Sequence, residues 1–260
     1  MSAAIAGPLS SRSARLFIVL AAFLAVNALC AEFVGVKVFA LEPTLGFQTV
    51  HWSLFGQSGS LSFTSGVLLW PFVFLMTDII NEYFGRRGVQ FISWLTVGLI
   101  SYGFLAAYVS ILLVPAQFWV TVNEQRGVPD MQVAFSNIFG QGMWTIMGSI
   151  SAFLLGQLID VAVFHRIRLL TGDRWIWLRA TGSTLISQLI DSFVVLYIAF
   201  VLGPQKWPIS LFMAVAMVNY AYKVVMAFGL IPLIYLVRKG IHAYLGEDVA
   251  HHLQAEARST

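Results

Sequence analysis

Long apolar stretches alternate with short polar segments along this chain. A stretch of about 20 apolar residues is long enough for a helix to cross the hydrocarbon core of a bilayer. The pattern therefore predicts an all-α integral membrane protein with six transmembrane helices. The last window is long and contains Pro232, so we expect it either to kink or to begin in the membrane interface. The six windows lie at 16–40, 61–84, 89–113, 141–165, 180–202 and 208–237.

Two segments near the N-terminus leave alternatives open. Arg12 and Arg15 precede an apolar stretch, as in a signal peptide, but this stretch runs to about residue 40 and is too long for a signal sequence. We interpret it as a retained first helix, with cleavage after Cys30 as the alternative. Residues 41–60 are rich in Gly and Ser and partly apolar. They form either an extracellular hairpin or a re-entrant segment.

The composition narrows the class of protein. Only 10% of the residues are charged and 58% are hydrophobic, whereas a soluble domain carries about 25% charged residues. The single cysteine, Cys30, excludes an intramolecular disulfide and a cysteine-based metal site. The chain has no HExxH, GxSxG or P-loop motif, so we expect no catalytic residues, no metal, no cofactor and no enzyme activity. His251 and His252 are interpreted as part of a solvated face.

The distribution of Lys and Arg predicts the topology. With the N-terminus inside, 11 of the 15 basic residues fall in cytoplasmic segments, and only Arg126 and Lys206 fall on the other side. This asymmetry follows the positive-inside rule. It predicts a cytoplasmic tail at 1–15, a transmembrane domain at 16–237 and a cytoplasmic tail at 238–260, with no nucleic-acid partner. The cytoplasmic set is Arg12, Arg15, Arg86, Arg87, Arg166, Arg168, Arg174, Arg179, Arg238, Lys239 and Arg258.

Charged and amide side chains interrupt the predicted helices. Each charge near the bilayer centre costs about 2.5–3.5 kcal/mol on an insertion scale, so these groups are expected to face a polar interior, to pair or to be protonated. Asp191 lies twelve residues after Arg179, roughly 18 Å at about 1.5 Å per residue and therefore near mid-membrane. Asn27 and Lys223 lie at a similar depth. A second polar layer lies nearer the cytoplasm and contains Asp78, Asn81, Glu82, Gln157 and Asp160.

Structural interpretations compete with functional ones for several of these residues. Glu82 is four residues from Arg86 and can form a helical ion pair with it, and Asp160 can pair with Arg166 or Arg168. Asp191 and Lys223 can simply neutralise each other. Lys37 and Glu32 interrupt the first helix, and Lys37 is expected to extend to the outer interface. The amides of Gln157 and Gln188 can join helices by hydrogen bonds.

The tetrapeptide QLID occurs twice, at Gln157–Asp160 and at Gln188–Asp191. Each copy places an amide and a carboxylate on one helix face. Because the two predicted helices run in opposite directions, the two aspartates lie at different depths. We therefore expect the copies to have different roles, with Asp191 the more central of the two.

Three stretches carry a family resemblance: LMTDIINEYFGRRG (75–88), WLRATGSTLISQLIDSFVVLYIAF (177–200) and NYAYKVVMAFGLIPLIYLV (219–237). They are similar to the bacterial queuosine precursor transporters, formerly classed as a vitamin-uptake-like family. The resemblance covers about Asn27 to Tyr235. One departure is Tyr83 followed by Phe84 before Gly85, where the family more often has an aliphatic residue and then tyrosine.

The resemblance implies import of 7-cyano-7-deazaguanine and related 7-deazaguanines across the bacterial inner membrane, for salvage into the queuosine of tRNA. A guanine-like base presents adjacent N–H donors to a carboxylate, while an amide can serve its carbonyl edge. The residues thus expected to bind the base are Asn27, Gln188, Asp191, Asn219 and Lys223, and the gate or proton-relay candidates are Asp78, Asn81, Glu82, Gln157 and Asp160.

Three mechanisms remain open at the level of the sequence. The first is a secondary transporter that works alone. The second is a substrate-binding membrane subunit of an ATP-driven uptake system. The third is an intramembrane enzyme that uses two of the aspartates as an acid and base. The preferred deazaguanine, the coupling ion and the oligomeric state, including a homo-oligomer, are left open.

Overall fold

Helices account for most of the structure. The computed structural model describes residues 11–140, 142–171 and 175–259, so Arg174 and the start of the predicted N-terminal tail lie outside the described residues. Short 3-10 turns follow at Ser65–Leu68 and Glu124–Arg126, and a π-helical segment at Tyr197–Leu202. The α-helices are α1 (Arg12–Val34), α2 (Leu41–Thr44), α3 (Trp70–Leu112), α4 (Gln117–Val120), α5 (Met131–Phe139), α6 (Met143–Thr171), α7 (Ile176–Leu196), α8 (Ile209–Gly229), α9 (Ile231–Leu245) and α10 (Glu247–Ser259).

Five helical stretches in the described part of the chain are long and apolar enough to cross a membrane. Large apolar side chains such as Val19, Trp94 and Val225 remain exposed on their outer faces, as expected where lipid is the solvent. The chain is therefore a multi-pass membrane protein. The stretches are Arg12–Val34, Ser65–Leu112, Met131–Thr171, Ile176–Leu202 and Ile209–Gly229.

The second of these stretches contains a sharp break at Gly85. Its backbone has φ 67° and ψ −171°, a combination that is almost confined to glycine because a Cβ atom would clash with the backbone. The break divides α3 into a segment at 70–84 and a segment at 86–112. A straight helix of 43 residues would be about 65 Å long, far more than a bilayer requires.

Contacts with α1 show that the chain reverses at this break. Phe84 packs against Phe17 near the start of α1, with ring centroids 5.0 Å apart. Twenty residues later, Phe104 packs against Phe33 near the end of α1, at 5.3 Å. Residues 86–112 therefore return along α1 from its start to its end. The windows predicted at 61–84 and 89–113 correspond to the two arms of this hairpin.

The segment predicted as either a hairpin or a re-entrant piece forms two pairs of short strands. β1 (Val38–Ala40) pairs antiparallel with β4 (Ser62–Thr64), and β2 (Trp52–Leu54) pairs antiparallel with β3 (Gln57–Gly59). Phe55 and Gly56 have positive φ, as a tight hairpin turn requires. We call this side of the bundle the hairpin end and the opposite side, where α9 meets α10, the α10 end.

Three predicted helix boundaries are wrong. α1 ends at Val34 and not at residue 40, because the chain turns into β1. The window at 61–84 begins with β4 and a 3-10 turn, and its helix starts only at Trp70. The last window, 208–237, contains two helices, since α8 ends at Gly229 and α9 begins at Ile231. Pro232 lies in the first turn of α9, where its missing N–H leaves no helical bond unmade.

The core lies where α3, α6 and α7 meet around α1. Leu24, Ile79, Phe153 and Phe164 are among its fully buried side chains. Glycines let the helix backbones approach closely, since a Cβ on Gly148 would lie 2.9 Å from the carbonyl oxygen of Val195. This close packing of α6 against α7 brings their polar faces together inside the bundle.

Candidate functional site

A large cavity opens within the hairpin-end half of the bundle. Its volume is about 420 Å³, within the range typical of small-molecule sites. Its walls come from α1, α6, α7 and α8, and residues of β1 and β4 lie at its mouth. The polar side chains that line it include Glu32, Ser149, Asp191, Ser192, Asn219 and Lys223, and its aromatic lining includes Phe63, Trp70 and Trp207.

The charged groups of the large cavity come from three helices. Lys223 on α8 donates a hydrogen bond to Asp191 on α7 and forms an ion pair with it. Glu32 on α1 accepts a hydrogen bond from Ser149 on α6 and is buried. The ion pair considered from the sequence is therefore present. It is accompanied by a second carboxylate, so acids outnumber bases among the lining residues.

Two of the predicted binding residues differ in their relation to this cavity. Asn219 lines the cavity. Its Nδ2 donates to the carbonyl oxygen of Val215 at 3.0 Å, so its amide oxygen is the atom left to accept a hydrogen bond. Asn27 is not among the described residues that line the cavity. Its Nδ2 instead donates to the carbonyl oxygen of Phe23 at 2.8 Å, one turn back on α1. Asn27, which the sequence analysis placed with Asp191 in the binding site, is thus bonded along its own helix in this structure.

A small pocket lies next to the large cavity on the side towards the α10 end. Its volume is about 30 Å³, room for about two waters at 10–15 Å³ each. Trp70 and Lys223 line both spaces, so they separate them. Gln188 is only 4% exposed and lines the small pocket, and its Nε2 has no hydrogen-bond partner in the described structure. The other polar lining residues are Asp78, Thr181 and Thr184.

Two acids meet beyond the small pocket, and we call Asp78 and Asp160 the acid pair. Asp78 comes from α3 and Asp160 from α6, and both reach the same turn of α7, where Thr184 binds Asp78 and Ser187 binds Asp160. Thr184 Oγ1 donates to Asp78 Oδ2 at 3.2 Å, and Ser187 Oγ donates to Asp160 Oδ1 at 3.2 Å. Both acids are buried. Hydroxyl groups of α7 therefore hold the acid pair from one side.

A buried ionic cluster closes the α10 end. Arg179 at the start of α7 donates to both carboxylate oxygens of Glu82, with Nε–Oε2 at 3.0 Å and Nη2–Oε1 at 2.5 Å. Gln254 of α10 donates to Glu82 Oε1 at 3.0 Å, and Arg168 donates to the carbonyl oxygen of Gln254 at 2.9 Å. These side chains are all buried. We call this group the Glu82 cluster, and it fixes α10 against the bundle.

Two pairings considered from the sequence are replaced by others. Gly85 breaks the helix between Glu82 and Arg86, so the helical i,i+4 relation does not hold, and Glu82 binds Arg179 instead. Asp160 contacts Ser187 rather than Arg166, because it faces α7 in the bundle interior. Arg168 is directed to Gln254 and lies 4.0 Å from Glu82.

Gln157 of α6 and Asn81 of α3 are two further buried polar residues of the bundle. Gln157 Nε2 donates to Thr77 Oγ1 at 3.0 Å, which ties α6 to α3 as the helix-joining interpretation predicts. Asn81 is fully buried, and neither atom of its amide has a hydrogen-bond partner among the described residues. Neither Gln157 nor Asn81 lines the large cavity or the small pocket within the described structure.

The sequence analysis missed several residues of this polar line. Ser183, Thr184 and Ser187 contact the acid pair, and their spacing on one face of α7 with Asp191 was a signal that could have revealed them. Arg179 lies at the edge of an apolar window and was used only as a topology marker. Gln254 lies in the tail, where the sequence carries no sign of contact with the membrane domain.

The tail histidines His251 and His252 are exposed, as the predicted solvated face requires, and His251 also belongs to a small cluster. His242, Glu247 and His251 present ligand atoms within 4.8 Å of one another. His242 Nδ1 lies 2.6 Å from Glu247 Oε2 and thereby ties α9 to α10. The hydrogen bond from His242 is the main cause that lowers the pKa of Glu247 below its usual value, and burial partly opposes it. The cluster is a junction between the two helices.

Comparisons with known proteins identify the family. A family model described as "Putative vitamin uptake transporter" matches residues 64–237, which include the acid pair and Lys223. The chain belongs to this transporter family. A "Probable queuosine precursor transporter" of Bacillus subtilis is 31% identical over 72% of this chain and 75% of its own length. No solved structure matches the chain.

Further members of the family agree with this assignment. The "Queuosine precursor transporter" of Escherichia coli is 31% identical over 63% of this chain and 67% of its own length. A "Probable queuosine precursor transporter" of Haemophilus influenzae is 27% identical over 67% of this chain and 68% of its own length. The resemblance to queuosine precursor transporters inferred from the three sequence stretches is confirmed.

Proposed function

We propose that this chain imports queuosine precursors, 7-cyano-7-deazaguanine and related 7-deazaguanines, across the bacterial inner membrane. The observation that carries the proposal is the large cavity, in which the Asp191–Lys223 ion pair, Glu32 and Asn219 converge inside a membrane protein. Relatives named as queuosine precursor transporters support it. The transporter acts on its substrate without changing it chemically.

The lining of the large cavity suits a guanine-like base. Such a base presents neighbouring N–H donors, which a carboxylate of Asp191 or Glu32 can accept as a pair. Lys223 offers a donor for its carbonyl edge, and the amide oxygen of Asn219 can accept a further N–H of the base. Trp70 and Phe63 provide aromatic faces for the planar ring. Gln188 lies deeper, at the small pocket, and is the next polar group that a base moving towards the α10 end would meet.

Six membrane spans and cytoplasmic termini complete the proposed topology. The two arms of α3 count as separate spans, because the chain reverses at Gly85. The α10 end faces the cytoplasm in this topology. Arg168 and Arg179 lie in the Glu82 cluster, and Arg12 donates to the carbonyl oxygen of Tyr244 at 3.1 Å, so basic side chains gather at that end. The large cavity then lies on the periplasmic half and the Glu82 cluster forms the cytoplasmic gate.

Transport by this chain alone is the proposed mechanism. Its polar groups form a continuous series from the large cavity through the small pocket and the acid pair to the Glu82 cluster, so the path lies within one chain. The sequence has no P-loop, and coupling to ATP would need a separate subunit. Uptake of labelled 7-cyano-7-deazaguanine into liposomes that contain only the purified chain distinguishes the two mechanisms.

The cellular test uses bacteria that can neither synthesise nor import the precursor. Expression of this chain, with 7-cyano-7-deazaguanine in the medium, is expected to restore queuosine in tRNA, measured by mass spectrometry of digested tRNA. The matched control is Asp191→Asn, which keeps the size of the side chain and removes its charge. Absence of queuosine despite verified membrane insertion of the wild-type chain would contradict the proposed function.

A further inference from the structure

The acid pair has a property that binding of a neutral base does not explain. Asp78 and Asp160 are 4% and 0% exposed, and both accept hydrogen bonds from hydroxyl groups within one turn of α7. Among the described residues, no Lys, Arg or His side chain forms a salt bridge with either of them. Two ionised carboxylates this close together in a dry interior would repel strongly and would both be poorly solvated. Two buried carboxyl groups in such surroundings are more stable with a proton on one of them than with both ionised.

The groups around the acid pair are neutral or already bound to one another. Ser183, Thr184 and Ser187 of α7 contribute hydroxyl groups. One turn from Asp78 on α3, Glu82 is held by Arg179 of α7. On α8, Lys223 lines the same small pocket as Asp78 and is paired with Asp191. The cations near the acid pair are therefore already paired with other carboxylates, so a proton is needed to neutralise one of its two carboxyl groups.

The small pocket connects the acid pair to the large cavity. Thr181 Oγ1 and Gln188 Nε2 line it, each from a side chain only 4% exposed, and neither atom has a hydrogen-bond partner in the described structure. Buried polar groups of this kind are normally satisfied by water or a ligand. The pocket has room for about two waters, and these would link Asp78 to Lys223 at the border of the large cavity.

We propose that this transporter is a proton symporter and that the acid pair is its proton-carrying site. The inference rests on the proposed function. A proton enters from the large cavity through the small pocket and forms an O–H bond with a carboxylate oxygen of Asp78 or Asp160. When the Glu82 cluster opens, water solvates the pair, the O–H bond breaks and the proton leaves to the cytoplasm. No other bond changes.

The charge balance gives the proposal a measurable signature. The base is neutral, so each transport cycle moves one positive charge inward with it. An acidic exterior and an inside-negative potential should both drive accumulation of the base. Exchange of internal for external base needs no net proton movement and should proceed without either gradient.

The test uses the purified full chain in liposomes that contain a pH-sensitive dye. Addition of 7-cyano-7-deazaguanine outside should acidify the interior of wild-type liposomes, and an imposed acidic exterior should drive accumulation of labelled base. Asp160→Asn, which preserves size but cannot carry the proton, should lose both effects and retain exchange. Thr96→Val is the matched control, since Thr96 is a buried polar residue of α3 away from the pair, and it should retain all three.

Each outcome separates this proposal from the proposed function. Wild-type exchange without base-driven acidification would overturn the symport and leave import intact, whereas absence of wild-type exchange would overturn both. Proton entry that persists in the double variant Asp78→Asn/Asp160→Asn would remove the acid pair from the mechanism, as would loss of exchange together with proton entry in folded single variants. If Asp160→Asn does not fold, Asp78→Asn and the wild-type acidification still decide the question.

Discussion

Arg179 and Glu82 form a two-point ion pair at the α10 end of the bundle, with contacts of 3.0 and 2.5 Å between side chains that are 0% and 1% exposed. An arginine and a carboxylate in this bidentate geometry compensate each other's desolvation. The pair joins the arm of α3 at 70–84 to the start of α7, and Gln254 adds α10 to it. A single contact therefore couples three elements.

Arg179→Ala should destabilise the protein strongly. The variant leaves Glu82 buried without its main partner, which costs about 3–5 kcal/mol when a buried ion pair is broken from one side. Thermal unfolding in detergent, followed by tryptophan fluorescence, measures the loss. Arg87→Ala, at an exposed position of the same face of the membrane, is the control and should unfold as the wild type does.

A double variant tests whether the loss comes from the uncompensated charge. Replacing both Glu82 and Arg179 by leucine removes the two charges together and should be less destabilising than Arg179→Ala alone. If the double variant is as unstable as the sum of the two single variants, the pair does not act through mutual compensation.

Asp191→Asn should weaken binding of 7-cyano-7-deazaguanine and leave the fold intact. A hydrogen bond to a charged group contributes about 1.5–3 kcal/mol, so the Kd should rise roughly 10- to 150-fold. Isothermal titration calorimetry of the purified protein measures the change. Asp248→Asn, on an exposed position of α10, should bind as the wild type does. An unchanged Kd in Asp191→Asn would place the base elsewhere.

Gly85→Ala should destabilise the helical hairpin of α3. Its φ of 67° with extended ψ is a conformation in which a non-glycine residue is strained by about 1–3 kcal/mol. A lower midpoint of thermal unfolding is expected. Gly240→Ala is the matched control, because a Cβ at Gly240 meets no atom within 4 Å and its φ is not positive. Equal stability of the two variants would show that the reversal does not depend on glycine.

The existence of the membrane helices could be read from the sequence, because each is an apolar run of bilayer length. Their ends could not, since hydropathy alone does not distinguish a helix from a short apolar strand such as β1 or from a break such as the one before Ile231. The reversal at Gly85 was implied by two adjacent windows, but only its φ and ψ show how a single turn achieves it.

The candidate site was predictable in its residue types and less so in its pairings. The depth argument placed Lys223 within reach of Asp191, and the two are paired. It could not show that Asn27 bonds within its own helix or that Asp160 and Asp78 bind the same face of α7. The depth of a residue in the membrane does not tell in which direction around the helix axis its side chain points. Rotation is set by packing against neighbouring helices. Arg179 was missed because its burial depends on Glu82 and α10, which lie far from it in sequence.

Glu42 gives the hairpin end a dependence on acid pH. Burial opposes its charged form, but the backbone amides of Leu61 and Val50 donate to Oε1 at 3.0 and 3.2 Å and hold the pKa of Glu42 below its usual value. A carboxyl group with a lowered pKa contributes stability above its unfolded pKa of about 4.3, and this contribution fades as the pH falls through the lower folded value. The folded hairpin should therefore weaken under acid conditions.

Hydrogen exchange of the amides of Val50 and Leu61 measures this effect. In the wild type, protection relative to the intrinsic rate should be constant above about pH 5 and should decrease below it, since protonation weakens the acceptor. Glu42→Gln keeps an acceptor oxygen but cannot titrate, so its protection should be lower than that of the wild type at neutral pH and should not change with acid. Loss of protection in Glu42→Gln that follows the same pH course as in the wild type would show that another group controls the hairpin.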